Sequence, residues 1–256
     1  AHFEYNVKLD RLLLIFNLLD ITKEDNYYET TPMAFIVQQN QFITIFNARN
    51  AYLLEKLENY LANNTVLTCQ QFLFASLTIA SKEYFPVLDQ LDRDKDMLNA
   101  KLRKRTTKQL LLELSDLETG LVYLLTAGNQ NVFVLEQLRN HPHIQKLGSI
   151  ELEELDDALI EARQLAAMTQ LDSQILQQLS GAYNNILNNN LNDNLTILTI
   201  LSILLAVLAV ITGFFGMNVP LPWQNEPQAW IWIVIIALVL WLIIAQVLKL
   251  VMRRQG

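Results

Sequence analysis

Asn184, Asn185, Asn188, Asn189, Asn190, Asn192 and Asn194 crowd one short stretch of the chain. Asn is a poor helix former, so this many in a helical stretch need a reason. An uncharged polar spacer at a membrane boundary is one. The sharper reason uses Asn184, Asn188 and Asn192, which at a spacing of four share one helix face. In a symmetric bundle each becomes a ring of amide oxygens around an axis. The face continues through Asn188, Asn192, Leu195, Thr199, Ser202, Ala206, Ala209 and Gly213, at steps of three or four. Nearly all are small, hydroxylated or amide-bearing, while Ile197, Ile200, Leu201, Leu204, Leu205, Val207 and Leu208 fill the rest of the circumference. Such a stripe suits the wall of a water path, and equally the close approach of helices in lipid.

Other groups could do chemistry. Glu151, Glu153, Glu154, Asp156 and Asp157 could hold a regulatory divalent cation, or complement a helix amino terminus. His141 and His143 flank Pro142 with no Cys nearby, and read as loop residues rather than a zinc pair. Lys101, Arg103, Lys104, Arg105 and Lys108 form a basic run. A solvated helix end explains it; contact with anionic lipid or a neighbour's acids is the alternative. No Ser-His-Asp set, phosphate loop or pair of catalytic carboxylates can be assembled, so an enzyme is not expected.

The formal charge of -7 argues against a nucleic-acid partner, which needs a basic surface. The lone Cys69 excludes an intrachain disulfide and a Cys-based zinc site, and fits a reduced cytosolic setting. The chain opens at Ala1 without Met, which reads as a fragment missing part of its amino end.

The elements that must position these groups follow from periodicity. Residues 1 to about 48 read as strands: Leu12–Phe16, Ala34–Val37 and Phe42–Phe46, with Gln38–Gln41 as a hairpin turn. Apolar residues on both faces of the last strand predict a sheet covered by helices. Helices are expected from Ala51 to Leu61, from Thr68 to about Leu98 with a break near Pro86, from Thr106 to Leu125 with an end at Gly128–Asn129, and over Asn131–Leu138. Ser149 reads as the cap of one long helix from about 150 to 215. Its apolar stripe would be Leu155, Leu159, Ala162, Leu165, Met168, Leu171, Ile175, Leu179, Ala182 and Ile186. Such a helix is near 100 Å long at about 1.5 Å per residue.

Only Leu195–Phe215 and Trp230–Leu248 are apolar over the roughly 20 residues a bilayer core requires, and neither contains Asp, Glu, Lys or Arg. Lys249, Arg253 and Arg254 follow the second span and place that end in the cytoplasm. A hairpin of two spans then puts the amino-terminal part there too. Gly216-Met217-Asn218 lies in the short loop outside, where Glu226 is the only carboxylate.

That tripeptide, directly after a long helix that becomes the first of two carboxyl-terminal spans, resembles the signature of the CorA family of divalent metal-ion transporters. Phe215 stands where the family more often has Tyr. The resemblance implies a homopentamer with a cytosolic funnel. It carries the family's pore positions onto Asn192, Leu195, Leu198, Ser202, Ala206, Ala209, Gly213 and Asn218. Leu195 and Leu198 would form an apolar constriction that gates by dewetting. Gly216, Met217 and Asn218 would form the selectivity filter. Its amide and backbone oxygens would accept hydrogen bonds from the water shell of Mg²⁺, an ion that dehydrates reluctantly. Gly181 stands where some members carry a metal-sensing acid.

The sequence therefore predicts an α/β cytosolic domain followed by a long stalk helix and two C-terminal transmembrane helices, as in a CorA-like funnel. Its parts are a domain over 1–148, a stalk over 149–194, a pore-lining span over 195–215, an extracellular loop over 216–229, a second span over 230–248 and a basic tail over 249–256. The expected function is influx of hydrated divalent cations, chiefly Mg²⁺, through a homo-oligomer in the cell (inner) membrane, with both termini cytoplasmic. Intracellular metal would gate it, with Glu151, Glu154 and Asp157 as candidate regulatory ligands. Mg²⁺, the bilayer and copies of itself are the partners, and no nucleic acid. The same scaffold could carry Co²⁺, Ni²⁺ or Zn²⁺; a membrane-anchored sensor that conducts nothing is the rival class.

Overall fold

The structure is a computed structural model that describes residues 1–24, 26–64, 67–217 and 227–255. The elements are β1 (His2–Asn6), β2 (Arg11–Glu24), β3 (Tyr27–Gln38), β4 (Gln41–Ile45), α1 (Tyr52–Asn63), α2 (Cys69–Lys82), α3 (Phe85–Lys104), α4 (Lys108–Arg139), a 3₁₀ turn (Ile144–Lys146), α5 (Ser149–Phe215) and α6 (Ala229–Gln255). The chain divides into two compact units, residues 1–183 and 184–256.

In the first unit the four strands form an antiparallel sheet in sequence order. The hairpin at Gln39–Asn40 joins β3 to β4, with Gln39 at φ 52°. Register puts Phe3, Leu14, Phe35 and Thr44 side by side, and Tyr5, Leu12, Val37 and Phe42 likewise. This face buries Leu12, Leu14, Phe16, Leu18, Met33, Phe35 and Val37 against residues of α1, α2, α4 and the start of α5. The other face departs from expectation. Ile43 and Ile45 are exposed, and Leu13, Ile15, Ala34 and Ile36 only half-buried. Helices of the described residues therefore cover one face of the sheet, not both.

Thr68 caps α2 with a reciprocal capping box to Gln71, which satisfies two amides that the helix start leaves open. Pro86 sits in the first turn of α3, where its missing N–H costs nothing. The break foreseen near Pro86 is thus a helix boundary. The expected end at Gly128 is not found, because α4 runs unbroken to Arg139. A Cβ on Gly128 would lie 3.6–3.9 Å from Ala166. The glycine lies in the packing of α4 against α5, at a distance that would also admit a Cβ, instead of terminating a helix. Asn131 secures α4 to the sheet. Its Oδ1 accepts from the Asn17 N–H at 2.9 Å and its Nδ2 donates to the Asn17 carbonyl at 2.8 Å. Both groups lie beyond the end of the β1 ladder, which stops at Ile15.

The buried line of α5 within the first unit passes through Leu155, Leu159, Ala162, Leu165, Thr169, Ser173, Leu176 and Tyr183. Leu171 is 58% exposed, and Ile186, beyond this unit, is 44% exposed. The stripe predicted from apolar residues alone thus strays from the packed face. Thr169 holds that face because its hydroxyl donates back to the Leu165 carbonyl at 2.8 Å.

The second unit pairs the end of α5 with α6. The most apolar windows of the two helices are 0% and 6% buried. A core helix of a soluble protein would be mostly buried, so these are two candidate membrane spans.

Candidate ion pathway

Contact between α5 and α6 uses one side of α5. Leu204 and Ala237 are the most enclosed residues, with Ile200, Val207, Ile211 and Phe215 half-buried. Leu195, Leu198, Thr199, Ser202, Ala209 and Gly213 stay exposed. Helical geometry explains the division, because residues 202 and 209 project about 160° from 204 and 207 at roughly 100° per residue. Ala206 stands at the border. It is exposed yet lines a wholly apolar groove of about 360 Å³ with Ile203, Val207, Val210, Ile211, Leu240 and Ile244. Asn188 and Asn192 are exposed.

Each hydroxyl over residues 195–215 of this helix is satisfied locally. Thr199 donates to the Leu195 carbonyl and Ser202 to the Leu198 carbonyl, both at 2.8 Å. Thr196 and Thr212 bond back likewise. This removes the cost of an unpaired donor in an apolar medium and leaves the oxygen lone pairs of Thr199 and Ser202 free to accept from water. A Cβ added to Gly213 would meet nothing within 4 Å.

α5 ends at Phe215, and the Gly216 N–H donates to the Thr212 carbonyl at 3.0 Å. A Cβ on Gly216 would stand 3.0 Å from that same oxygen, so a side chain there crowds the helix end. Met217 is 53% exposed. Asn218 and Glu226 lie outside the described residues, as do the side chains of Lys249, Arg253 and Arg254.

The acids expected to sense metal open α5. Glu151 accepts from the Thr68 hydroxyl at 3.4 Å. Asp156 is engaged by Arg139 at 2.6 and 3.1 Å. Glu154 lines a cavity of about 200 Å³ with Tyr60, Lys82 and Asp157. Its Oε2 is buried with no hydrogen-bond partner. Burial, then the charges of Glu151 and Asp157, push its carboxyl above the usual range. Among the described residues no three acid or His side chains are grouped to hold a metal ion within one chain. Gly181 has open space around it.

His141 and His143 lie in the connection between α4 and α5. Their rings are 5.8 Å apart, and Tyr5 stacks on His143 at 4.6 Å. Burial first, then His143, lowers the pKa of His141. The pair packs this connection onto β1. Sequence reading missed two buried charges, Asp20, which is 1% exposed and lies 3.5 Å from Arg49, and Lys95. Lys95 is 8% exposed and bridges Asp92 to Asp172, the latter at 3.3 Å. Its i, i+3 spacing from Asp92 was visible, but its partner lies on α5.

No curated protein matches the sequence. The full-length CorA magnesium transporter of Methanocaldococcus jannaschii has a similar structure, with TM-score 0.76 and 22% identity over 100% of this chain and 79% of that one. The full-length CmaX protein gives TM-score 0.68 and 15% identity over 98% and 76% of the two chains. The ZntB cytoplasmic domain of Vibrio parahaemolyticus gives 0.56 and 9% over 74% and 72%. These likenesses show the fold. The sequence also matches the family described as CorA-like Mg2+ transporter protein over residues 1–250. The chain has the CorA fold, and by that match over nearly its whole length it belongs to this family of divalent-cation transporters, which are not enzymes.

Proposed function

We propose that identical copies of this chain, five by family resemblance, surround a water-filled axis through which hydrated divalent cations, chiefly Mg²⁺, enter the cell. One observation carries the reading. The small and hydroxyl-bearing face of α5 stays free while α6 covers the opposite face. A two-helix hairpin offers no reason to keep Thr199, Ser202 and Gly213 together on the uncovered side. Neighbouring copies around an axis do.

The chain then spans the inner membrane twice with both termini cytoplasmic, and residues 216–229 face outward. Gly216, Met217 and Asn218 form the entrance, where amide and carbonyl oxygens accept hydrogen bonds from the ion's water. Leu195 and Leu198 narrow the inner end. An inside-negative potential drives entry with about 2.3 kcal/mol per charge per 100 mV, and about twice that for a divalent ion.

Intracellular Mg²⁺ closes the path by binding Glu151, Glu154 and Asp157 together with groups from a neighbouring copy. What supports this is mutual repulsion among three carboxylates, one with an unsatisfied buried oxygen, which a cation relieves. The test is Mg²⁺ uptake into liposomes by the native chain and by Asn218→Ala. Uptake by the native chain and its loss in the variant are expected. Equal uptake by both would remove Asn218 from the filter, and no uptake by either would favour a non-conducting sensor.

A further inference from the structure

We propose that a cavity at one end of the sheet binds the primary ammonium group of a small organic amine. The cavity lies wholly within the first unit and is independent of the ion path. Four connections meet around it. The β1–β2 turn brings Asp10, the β3–β4 hairpin Gln39, the start of α2 Gln70 and the stretch between α4 and α5 His143, beside Tyr5 on β1. Leu12, Val37 and Ile144, all buried, give it an apolar lining. Its volume is about 220 Å³. That is below the roughly 300–1,000 Å³ of sites for drug-sized ligands, so the occupant has few heavy atoms.

Charge and donor count choose the ligand. Among the described residues Asp10 is the one carboxylate lining the cavity, and no Lys or Arg lines it. Asp10 makes no ion pair among the described residues. Its Oδ1 accepts from the Tyr5 hydroxyl, which leaves Oδ2 for a ligand. That bond first, then burial and the Asp10 charge, pushes the Tyr5 phenol up to about 12, so Tyr5 stays a donor. The His143 ring stacks on Tyr5 at 4.6 Å and holds it there. The side chains of Gln39 and Gln70 make no hydrogen bond among the described residues. Their amide oxygens and Asp10 Oδ2 are three acceptors, and a primary ammonium carries three donors. The apolar lining suits the methylenes that follow it. A hydrated metal ion gains nothing from that lining, and Mg²⁺ sheds its water reluctantly.

The test is equilibrium dialysis of the full chain in detergent against radiolabelled n-butylamine, at about pH 8, where an alkyl amine is charged. The native chain should retain the amine saturably. Unlabelled n-butanol should not displace it. Tetramethylammonium, which has the charge without the donors, should displace it on the order of tenfold less well than unlabelled n-butylamine. Asp10→Asn keeps the size of the side chain, and Asn tolerates the φ of 46° at this position. It should weaken retention about tenfold, and Gln70→Leu about threefold. Glu58→Gln, which changes an exposed acid of α1 outside the cavity, should leave retention as it is. Equal retention by the native chain and Asp10→Asn overturns the proposal; should that variant not fold, equal retention by Gln70→Leu does so. Displacement by n-butanol or tetramethylammonium as ready as by n-butylamine also overturns it. So does an equal loss in Glu58→Gln, which would mean general attraction to an acidic chain.

Discussion

At the scale of single residues, the informative positions are those where a side chain is held at some cost. Glu154 keeps a buried oxygen unpartnered beside two further acids. Its carboxyl titrates above the ordinary range in the folded state, so it favours folding most when protonated. That contribution is complete below the ordinary glutamate pKa and is lost as pH rises through the raised value. Glu154→Gln should therefore raise Tm at neutral pH. The gain should shrink as the medium is acidified through the glutamate range. Thermal melts across pH check this, and a gain independent of pH would contradict it. If the same carboxylate senses metal, the variant should also lose part of the Tm increase that Mg²⁺ gives the native chain. Gly216 is a second such residue. With a Cβ 3.0 Å from the Thr212 carbonyl, Gly216→Ala should disturb the helix end and cut Mg²⁺ uptake while leaving the assembled mass unchanged.

At the scale of elements, close approach distinguishes one glycine from another. A Cβ on Gly120 would meet Tyr27 Cβ at 3.2 Å, whereas on Gly128 it would sit at ordinary contact distance, 3.6–3.9 Å, from Ala166. Gly128→Ala should gain up to about 1 kcal/mol of helix propensity. Gly120→Ala should lose most or all of that gain to overpacking, which typically costs about 1–3 kcal/mol. Denaturant or thermal melts of the two variants should separate in that order. Sequence reading misjudged Gly128 because a helix-ending glycine and a helix-packing glycine look alike until the neighbour, Ala166, is known. The strayed α5 stripe has a related cause. Apolar residues alone point to Leu171, while the packed face uses Thr169 and Ser173, whose polarity hides them from a hydrophobic pattern. Where the pattern was long and its chemistry uniform, as in the helix over 149–215 and the apolar run over 230–248, it was readable directly. The second face of the sheet was not, since the apolar Ile43 and Ile45 say nothing of what covers them.

At the scale of the whole molecule, the candidate site was legible in part. The stripe from Asn188 to Gly213 could be drawn from residue spacing, and its choice between packing and pore could not. The position of α6 bears on that choice, because it leaves the stripe open and draws only Ala206 toward the groove between the two helices. The tripeptide drew attention by its place between two apolar runs, a property of the whole chain and not of three residues. The account therefore asks for more than one chain, and cysteine scanning of α5 in a Cys69→Ser background tests this most directly. Cysteines replacing Leu195, Ser202, Ala209 and Gly213 should react with a charged, membrane-impermeant thiol reagent, and reaction should stop Mg²⁺ uptake. Cysteines replacing Leu204, Val207 and Ile211 should stay unreactive. Reaction on the second face, or uptake untouched by modification of the first, would contradict the account.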